Sequence, residues 1–464
     1  MSQPAQSFPT QKYIARLEEI VGAAYVFTGE DFLAKRQADS VFPGVVVQPA
    51  DALQIAEVLR FAAAEKLAVI PSGGGTKLGI GSLPARYDIA LDVSRLNQVL
   101  AYDPQDLTLG VEPGVRIEDL LRVLAEQKQF LPLAVPFFER ATIGGIVAAN
   151  SSSPLRHAYG GVRDFCLGME FVTGEGILAK SGGRVVKNVT GYDLHKLLIG
   201  SLGTLGVITR ANFRTFPVLP AQGTFVASFS SAEGAFDFCA AIARSVIAPQ
   251  IIEVADPAAA RMLFSADAAE RIESRNWQVI ISAAGQPAVV DRCARELGHM
   301  AGTSSAEEFI QLGETEAPAV LTRVREFPRV ILEAAPSAAI FRIGILPTAM
   351  AGLMGELHSL AQKRNVDVMA LTRACGIVYA AVLAKEGDTV TTASLAGVVK
   401  QVFDVCSKPE IAASAMMEWC PPDVKSAVGG AWGAPRQDFG LMKRVKDSFD
   451  PHGVLSAGRF AGGI

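Results

Sequence analysis

The sequence predicts an α+β protein of two large domains, and three observations carry that prediction. At roughly 150 residues per domain, a chain of 464 residues holds about three domains or two large ones, and its 50% hydrophobic content is enough to bury large cores. Between about 42 and 217, short apolar strands and amphipathic helices alternate with three glycine-spaced loops. From about Ala221, alanine-rich helical stretches alternate with strands, which reads as a second α+β module. The predicted division is a helical lead-in over 1–41, a first domain over 42–218, a second over 219–438 and a C-terminal segment over 439–464.

The elements follow in order. An amphipathic helix is predicted over 11–22, and Val45-Val-Val-Gln is a short apolar strand. Asp51 offers a side-chain acceptor to cap a helix over 52–66, with Leu53, Ile55, Ala56, Leu59 and Ala63 as its buried face. A buried strand over 67–70 runs straight into Pro71-Ser-Gly-Gly-Gly-Thr-Lys77. Strands are predicted over 89–93 and 107–111, and a helix over 117–128. The second loop is Ala141-Thr-Ile-Gly-Gly-Ile-Val-Ala-Ala-Asn150. Segments 166–173 and 177–181 form a hairpin around Gly174-Glu-Gly176. The third loop, Gly200-Ser-Leu-Gly-Thr-Leu-Gly206, enters a strand that ends near Phe216, and Pro217 and Pro220 mark the boundary. Beyond it, strands are predicted over 223–230, 277–283, 337–346 and 376–384, and helices over 232–247, 287–301, 348–364 and 391–407. A helix and a glycine-rich end close the chain over 439–463.

Composition excludes several functions. A net charge of −4 argues against nucleic acid, whose phosphates need a basic face. The longest apolar stretches, 343–355 and 375–384, fall short of the ~20 residues that span a bilayer. The polar N-terminus lacks the pattern of a secretion signal, which predicts a cytoplasmic protein. Six scattered cysteines without a CxxC pair read as reduced thiols and give no spacing for zinc or an iron–sulfur cluster on this chain. The sequons at Asn150 and Asn188 are then incidental.

Two nucleotide signatures fail. After Gly73 and Gly75, the third glycine of GxGxxG is replaced by Leu78, and Lys77 follows Thr76 rather than the glycine of a P-loop. The physics of the loops survives. Three glycines after a buried strand leave main-chain amides unobstructed for an anion, and Thr76 adds a hydroxyl. Gly144-Gly145 offers a second close approach, beside Thr142. Each loop alone also reads as a tight turn; together they suggest one dinucleotide held along its length.

Five motifs in order then carry a resemblance. They are Pro71-Ser-Gly-Gly-Gly-Thr, Ala141-Thr-Ile-Gly-Gly-Ile-Val-Ala-Ala-Asn, Gly160-Gly-Val-Arg-Asp-Phe-Cys-Leu-Gly, Lys187-Asn-Val-Thr-Gly-Tyr-Asp-Leu-His-Lys-Leu and Gly200-Ser-Leu-Gly-Thr-Leu-Gly-Val-Ile-Thr. From Phe42 to Pro217 the chain resembles the FAD-binding domain of the vanillyl-alcohol oxidase and p-cresol methylhydroxylase family, and within it the FAD-binding subunits of glycolate oxidases. The tail, Trp432-Gly-Ala-Pro-Arg and Phe449-Asp-Pro-His-Gly-Val-Leu-Ser-Ala-Gly-Arg-Phe, is similar to the ending of those subunits. The resemblance implies a two-lobed FAD-binding domain of the p-cresol methylhydroxylase (PCMH) type, an α+β cap, and a C-terminal segment returning to the FAD domain. It implies that Pro71, Ser72, Gly73, Gly74, Gly75, Thr76, Lys77, Thr142, Ile143, Gly144 and Gly145 hold the diphosphate. Val207 and Ile208 would line the adenine or ribose, with Asn150, Gly161 and Tyr192 near the flavin or its supporting loops. Covalently flavinylated relatives carry a His in the first loop; here it is Gly-Gly-Gly-Thr, so non-covalent FAD is expected.

Oxidising a 2-hydroxy acid needs a flavin to take hydride, a base or metal for the hydroxyl proton and a cation for the carboxylate. Metal-dependent relatives use paired histidines; the five histidines here (157, 195, 299, 358, 452) are dispersed, so no metal site is expected. Arg342 and Arg373 lie in apolar strands and are candidates either to anchor the acid or to pair with a cap carboxylate. His195 could face the flavin or be a packing residue, and Glu418, Trp419 and Trp432 could wall the pocket or pack in the core. Cys375 reads as inert and Asp450-Pro-His452 as a turn ending a helix; no catalytic base is assigned. The resemblance implies an FAD subunit of a glycolate oxidase or dehydrogenase complex, with glycolate or D-lactate as the acid. Its partners would be a second flavoprotein subunit and an iron–sulfur subunit, which could hold it at the inner face of the membrane. The alternatives are a stand-alone 2-hydroxy acid oxidoreductase and a scaffold subunit that has lost FAD.

Overall fold

The computed structural model describes residues 10–184, 191–264, 275–374, 376–385, 391–435 and 437–464; the motif residues Lys187 to Thr190 and Cys375 lie outside them. The first lobe is a four-stranded sheet in the order Val26–Phe27, Val45–Val47, Ile89–Asp92, Val69–Ser72. The last three strands are parallel, and the helix Ala52–Glu65 makes the crossover between two of them. Asp51 caps that helix by accepting the Gln54 amide at 2.9 Å. Ile55, Ala56, Val58, Leu59 and Ala62 form its buried face, and Ala63 is half-buried. Leu53, expected on that face, is 65% exposed. It precedes Ile55 by two residues, about 200° round the helix, and so points away from the sheet.

The second lobe is a five-stranded antiparallel sheet in the order Val99–Asp103, Thr108–Val111, Val207–Arg214, Cys166–Val172, Leu178–Gly182. The predicted hairpin is its outer pair, with Glu170 opposite Lys180. Helices Ile117–Ala125 and Ile143–Ala149 bury Ile117, Leu120, Ile143 and Ile146 against this sheet.

From Ala221 onward the chain builds an eight-stranded antiparallel sheet. The helices Ala232–Ala243, Pro287–Thr303, Met350–Arg364 and Thr392–Ser407 share one apolar core with this sheet. Four of its strands, Ile251–Ala255, Glu308–Gln311, Val366–Arg373 and Ser414–Trp419, were not predicted. All five residues of Ile251–Ala255 are buried, so that strand shows no period-2 alternation in the sequence.

After the helix Phe439–Phe449 the chain meets the first lobe again. Leu455 bridges Val69 in parallel, and Lys446 donates to the carbonyls of Thr204 (2.8 Å) and Leu455 (2.9 Å). Among the described residues, no helix is long and apolar enough to cross a membrane.

Candidate functional site

The strand Val69–Ser72 delivers the first glycine loop onto the second. A Cβ on Gly73 would fall on the Thr142 hydroxyl, and one on Gly74 would fall on the Arg140 carbonyl oxygen. Gly75 has φ +73°, in the left-handed region that favours glycine. On the other loop, a Cβ on Gly144 would come 2.7 Å from the Pro113 Cβ. Gly145 is different: its Cβ would stand 3.5 Å from the Thr142 hydroxyl oxygen and 3.9 Å from the Lys77 Cγ, with room to spare. Three of these glycines therefore permit close packing of chain on chain, and Gly145 keeps space open.

That space is a cleft lined by Pro71, Ser72, Gly73, Gly74, Gly75, Thr76, Lys77, Thr142, Gly144, Gly145, Val207 and Ile208. Four other named positions lie elsewhere. Ile143 is buried in the core of the second lobe, and its amide donates to the Val115 carbonyl at 2.9 Å. Asn150 ends the helix Ile143–Ala149 in a left-handed conformation and lines a neighbouring pocket. Gly161 sits in a tight turn, its amide donating to Asp164 Oδ2 at 2.7 Å. Tyr192 is 89% exposed, and its carbonyl accepts from the Ser181 hydroxyl at 3.1 Å.

The cleft is built for an anion. The amides of Gly73, Gly75, Thr76, Lys77 and Gly145 have no acceptor among the described residues, and the Gly74 amide has only a long contact, 3.4 Å, to Thr142 Oγ1. The buried hydroxyl of Ser72 also lacks a partner there. Leaving a buried donor such as the Ser72 hydroxyl or the Gly73 amide unpaired costs about 1–3 kcal/mol, so a ligand that accepts from them is favoured. Arg459, which the sequence reading did not name, lines the same cleft and donates to the carbonyls of Leu78 and Ile80, while its Nε has no partner among the described residues. Its signal in the sequence was the tail motif Ala457-Gly-Arg459. A diphosphate fits this set of donors, with Lys77 and Arg459 as the cations of the lining.

Lys77 joins the cleft to the cap. Its ammonium donates to the Pro136 carbonyl at 3.3 Å and lies 5.4 Å from the Phe137 ring and 5.7 Å from the Trp419 ring. Burial pulls its pKa down to about 8, against the opposing pull of Glu418. Glu418 is itself buried and pairs with Arg342 at 2.9 Å. Arg342 also donates to the carbonyls of Asn150 (2.8 Å) and Ala149 (3.3 Å), pinning the end of the helix Ile143–Ala149 to the cap. Arg373 lies inside the cap sheet opposite Glu253, with Nε 3.5 Å from Oε1, and lines neither the cleft nor its neighbouring pocket.

The remaining candidates are placed as follows. His195 is buried, with Nδ1 3.1 Å from the Ser181 hydroxyl, and burial lowers its pKa; it does not line the cleft. Trp432 donates from Nε1 to the Arg459 carbonyl at 3.1 Å and stacks at a tilt on Phe460. Asp450 follows the helix Phe439–Phe449 and accepts the amides of Val454 and Leu455, holding the turn. Among the described residues, Cys166, Cys239, Cys293, Cys406 and Cys420 are free and buried. No group of three or more His, Cys, Asp or Glu side chains among them could hold a metal.

Residues 43–182 match the family described as FAD binding domain, and residues 219–408 match FAD linked oxidases, C-terminal domain. Together the two ranges take in more than two thirds of the chain. The glycolate oxidase subunit GlcD of Bacillus subtilis is 26% identical over 328 residues, 70% of each chain. The D-lactate dehydrogenase of Archaeoglobus fulgidus is 30% identical over 233 residues, and the match spans about half its length (51%) and 50% of this chain. Among solved structures, p-cresol methylhydroxylase with substrate bound superposes with a TM-score of 0.78 at 15% identity, covering 97% of this chain and 96% of that one; at that identity the likeness speaks for the fold. The chain therefore carries an FAD binding domain followed by an FAD-linked oxidase C-terminal domain in a PCMH-type fold; it is an FAD-dependent oxidoreductase, and FAD is its cofactor.

Proposed function

We propose that this chain is the FAD-bearing subunit of a 2-hydroxy acid oxidase or dehydrogenase complex, with glycolate or D-lactate as the acid and FAD held without a covalent bond. The observation that carries the reading is the convergence of unpaired amides from two distant loops on one cleft. In this reading Gly73, Gly75, Thr76 and Gly145 donate to the diphosphate, Ser72 and Thr142 add hydroxyls, and Val207 and Ile208 receive the adenine end. FAD supplies a two-electron acceptor that takes hydride from the carbon bearing the hydroxyl. The relatives named as a glycolate oxidase subunit and a D-lactate dehydrogenase support the substrate class, and the first supports a subunit's role. An iron–sulfur subunit and a second flavoprotein subunit complete the proposed complex.

The test is anaerobic reduction of the flavin, followed by its visible absorbance. Glycolate or D-lactate should bleach the FAD of the assembled complex; a complex carrying FAD that neither acid bleaches overturns the reading. Heat-denatured protein should release its FAD into the supernatant.

The displaced pKa of Lys77 adds a prediction about pH. The ammonium begins near 8, and an incoming diphosphate raises that value again. Between the two values binding takes up a proton, so FAD affinity should fall as pH rises above about 8, by at most tenfold per unit. FAD titrations of apoprotein between pH 7 and 9.5 measure the slope, and Lys77→Met should flatten it.

A further inference from the structure

Where the helix Ile143–Ala149 ends, Ala149 lines the FAD cleft and Asn150 lines a second pocket between the first domain and the cap. Two guanidinium groups reach it, Arg156 from the first domain and Arg342 from the cap. Arg342 is committed to Glu418 and to the carbonyls of Ala149 and Asn150. The Arg156 guanidinium has no ion-pair or hydrogen-bond partner among the described residues, and no Asp or Glu among them lines the pocket. Beside it Ser152 is only 3% exposed, yet its hydroxyl has no partner among the described residues. Gly161 explains how the guanidinium is accommodated: a Cβ there would come 2.7 Å from Nη1 of Arg156. The opposite wall is apolar, from Met416 and Trp432.

A half-buried guanidinium without a partner among the described residues, a buried hydroxyl likewise unpartnered and an apolar wall together suit a small carboxylate with a short organic body, because a guanidinium and a carboxylate pair through two parallel hydrogen bonds. We propose that this pocket is the carboxylate subsite of the enzyme, with Arg156 anchoring the acid and Ser152 donating to it. The assignment rests on the 2-hydroxy acid reading above, and it moves the anchor from Arg342 and Arg373, both already paired, to a residue the sequence did not single out. Arg342 then acts by position: it holds the strip of chain, Ala149–Asn150, that separates the subsite from the FAD cleft.

Oxalate, a dicarboxylate with no hydroxyl to oxidise, separates binding from turnover. It is titrated into the FAD-loaded protein by calorimetry, with the flavin difference spectrum recorded in parallel. Wild type should bind oxalate. Arg156→Gln should weaken binding at least tenfold with FAD content unchanged, Arg156→Lys should recover part of it, and Ser152→Ala should weaken it severalfold. Should Arg156→Gln fail to fold, Arg156→Lys and Ser152→Ala decide by the same titration. Equal oxalate affinity in wild type and the variants, no binding to FAD-loaded wild type, or loss of FAD with oxalate affinity retained would each overturn the subsite. Oxalate bound through Arg156 in a complex whose flavin no 2-hydroxy acid reduces would instead leave the subsite standing and refute the functional reading. Flavin reduced by glycolate with the same KM in wild type and Arg156→Gln would do the reverse.

Discussion

Replacing Gly145 with Asp is expected to abolish FAD binding while leaving the fold intact. The position tolerates a Cβ, since the atoms nearest to it stand at 3.5 and 3.9 Å. The added carboxylate would stand in the cleft among the donors proposed for the diphosphate. Two like charges about 4 Å apart at an effective dielectric constant near 20 repel by about 4 kcal/mol, roughly a thousandfold in affinity. Gly145→Ala adds the methyl without the charge, and its loss should be tenfold or less. Gly74→Asp should also lose FAD, for a second reason: even a methyl there falls on the Arg140 carbonyl oxygen, so the loop itself must shift. FAD content by visible absorbance, with far-UV circular dichroism to check the fold, measures all three. Normal FAD content in Gly145→Asp would remove that glycine from the site.

The largest effect on stability should come from the cap. Glu253 and Arg373 face each other across two strands; both are buried, and neither carboxylate oxygen of Glu253 has a hydrogen-bond partner among the described residues. Burial pushes the Glu253 carboxyl up to about 7 from its ordinary 4.5, against the pull of Arg373. Between those two values the folded chain holds a proton that the unfolded chain does not, so this group's contribution to stability falls as pH rises from about 4.5 to about 7. Arg373→Leu leaves a buried carboxylate with no counter-charge and should cost about 3–5 kcal/mol at pH 8. The loss should shrink at pH 5.5, where the acid is protonated. Glu253→Leu combined with Arg373→Leu should return stability to the wild-type level or above it. Denaturant midpoints at the two pH values measure this; a double variant no more stable than Arg373→Leu would contradict it.

The glycine loops were legible in the sequence because their chemistry is local. Missing side chains bare amides whatever the rest of the chain does, and Gly73, Gly74 and Gly145 line one cleft. The surroundings of Lys77 were not legible, because Phe137 and Trp419 reach it from distant parts of the chain. Arg373 was read as an anchor or an ion pair, but its partner Glu253 lies on a strand with no alternation to reveal it. Arg156 escaped notice because nothing in Leu155-Arg-His-Ala marks a guanidinium without a partner; that property depends on Ser152, on Gly161 and on the cap wall. The motif that places Tyr192 and Gly161 near the flavin or its supporting loops does not reveal their surroundings: Tyr192 is exposed, and Gly161 makes room for Arg156.

The most direct measurement is a crystal structure of the FAD-loaded protein. The account predicts diphosphate oxygens within hydrogen-bonding distance of the amides of both Thr76 and Gly145, with the isoalloxazine reaching toward Ala149. A diphosphate bound by only one of the two loops, or outside the cleft between them, would contradict it.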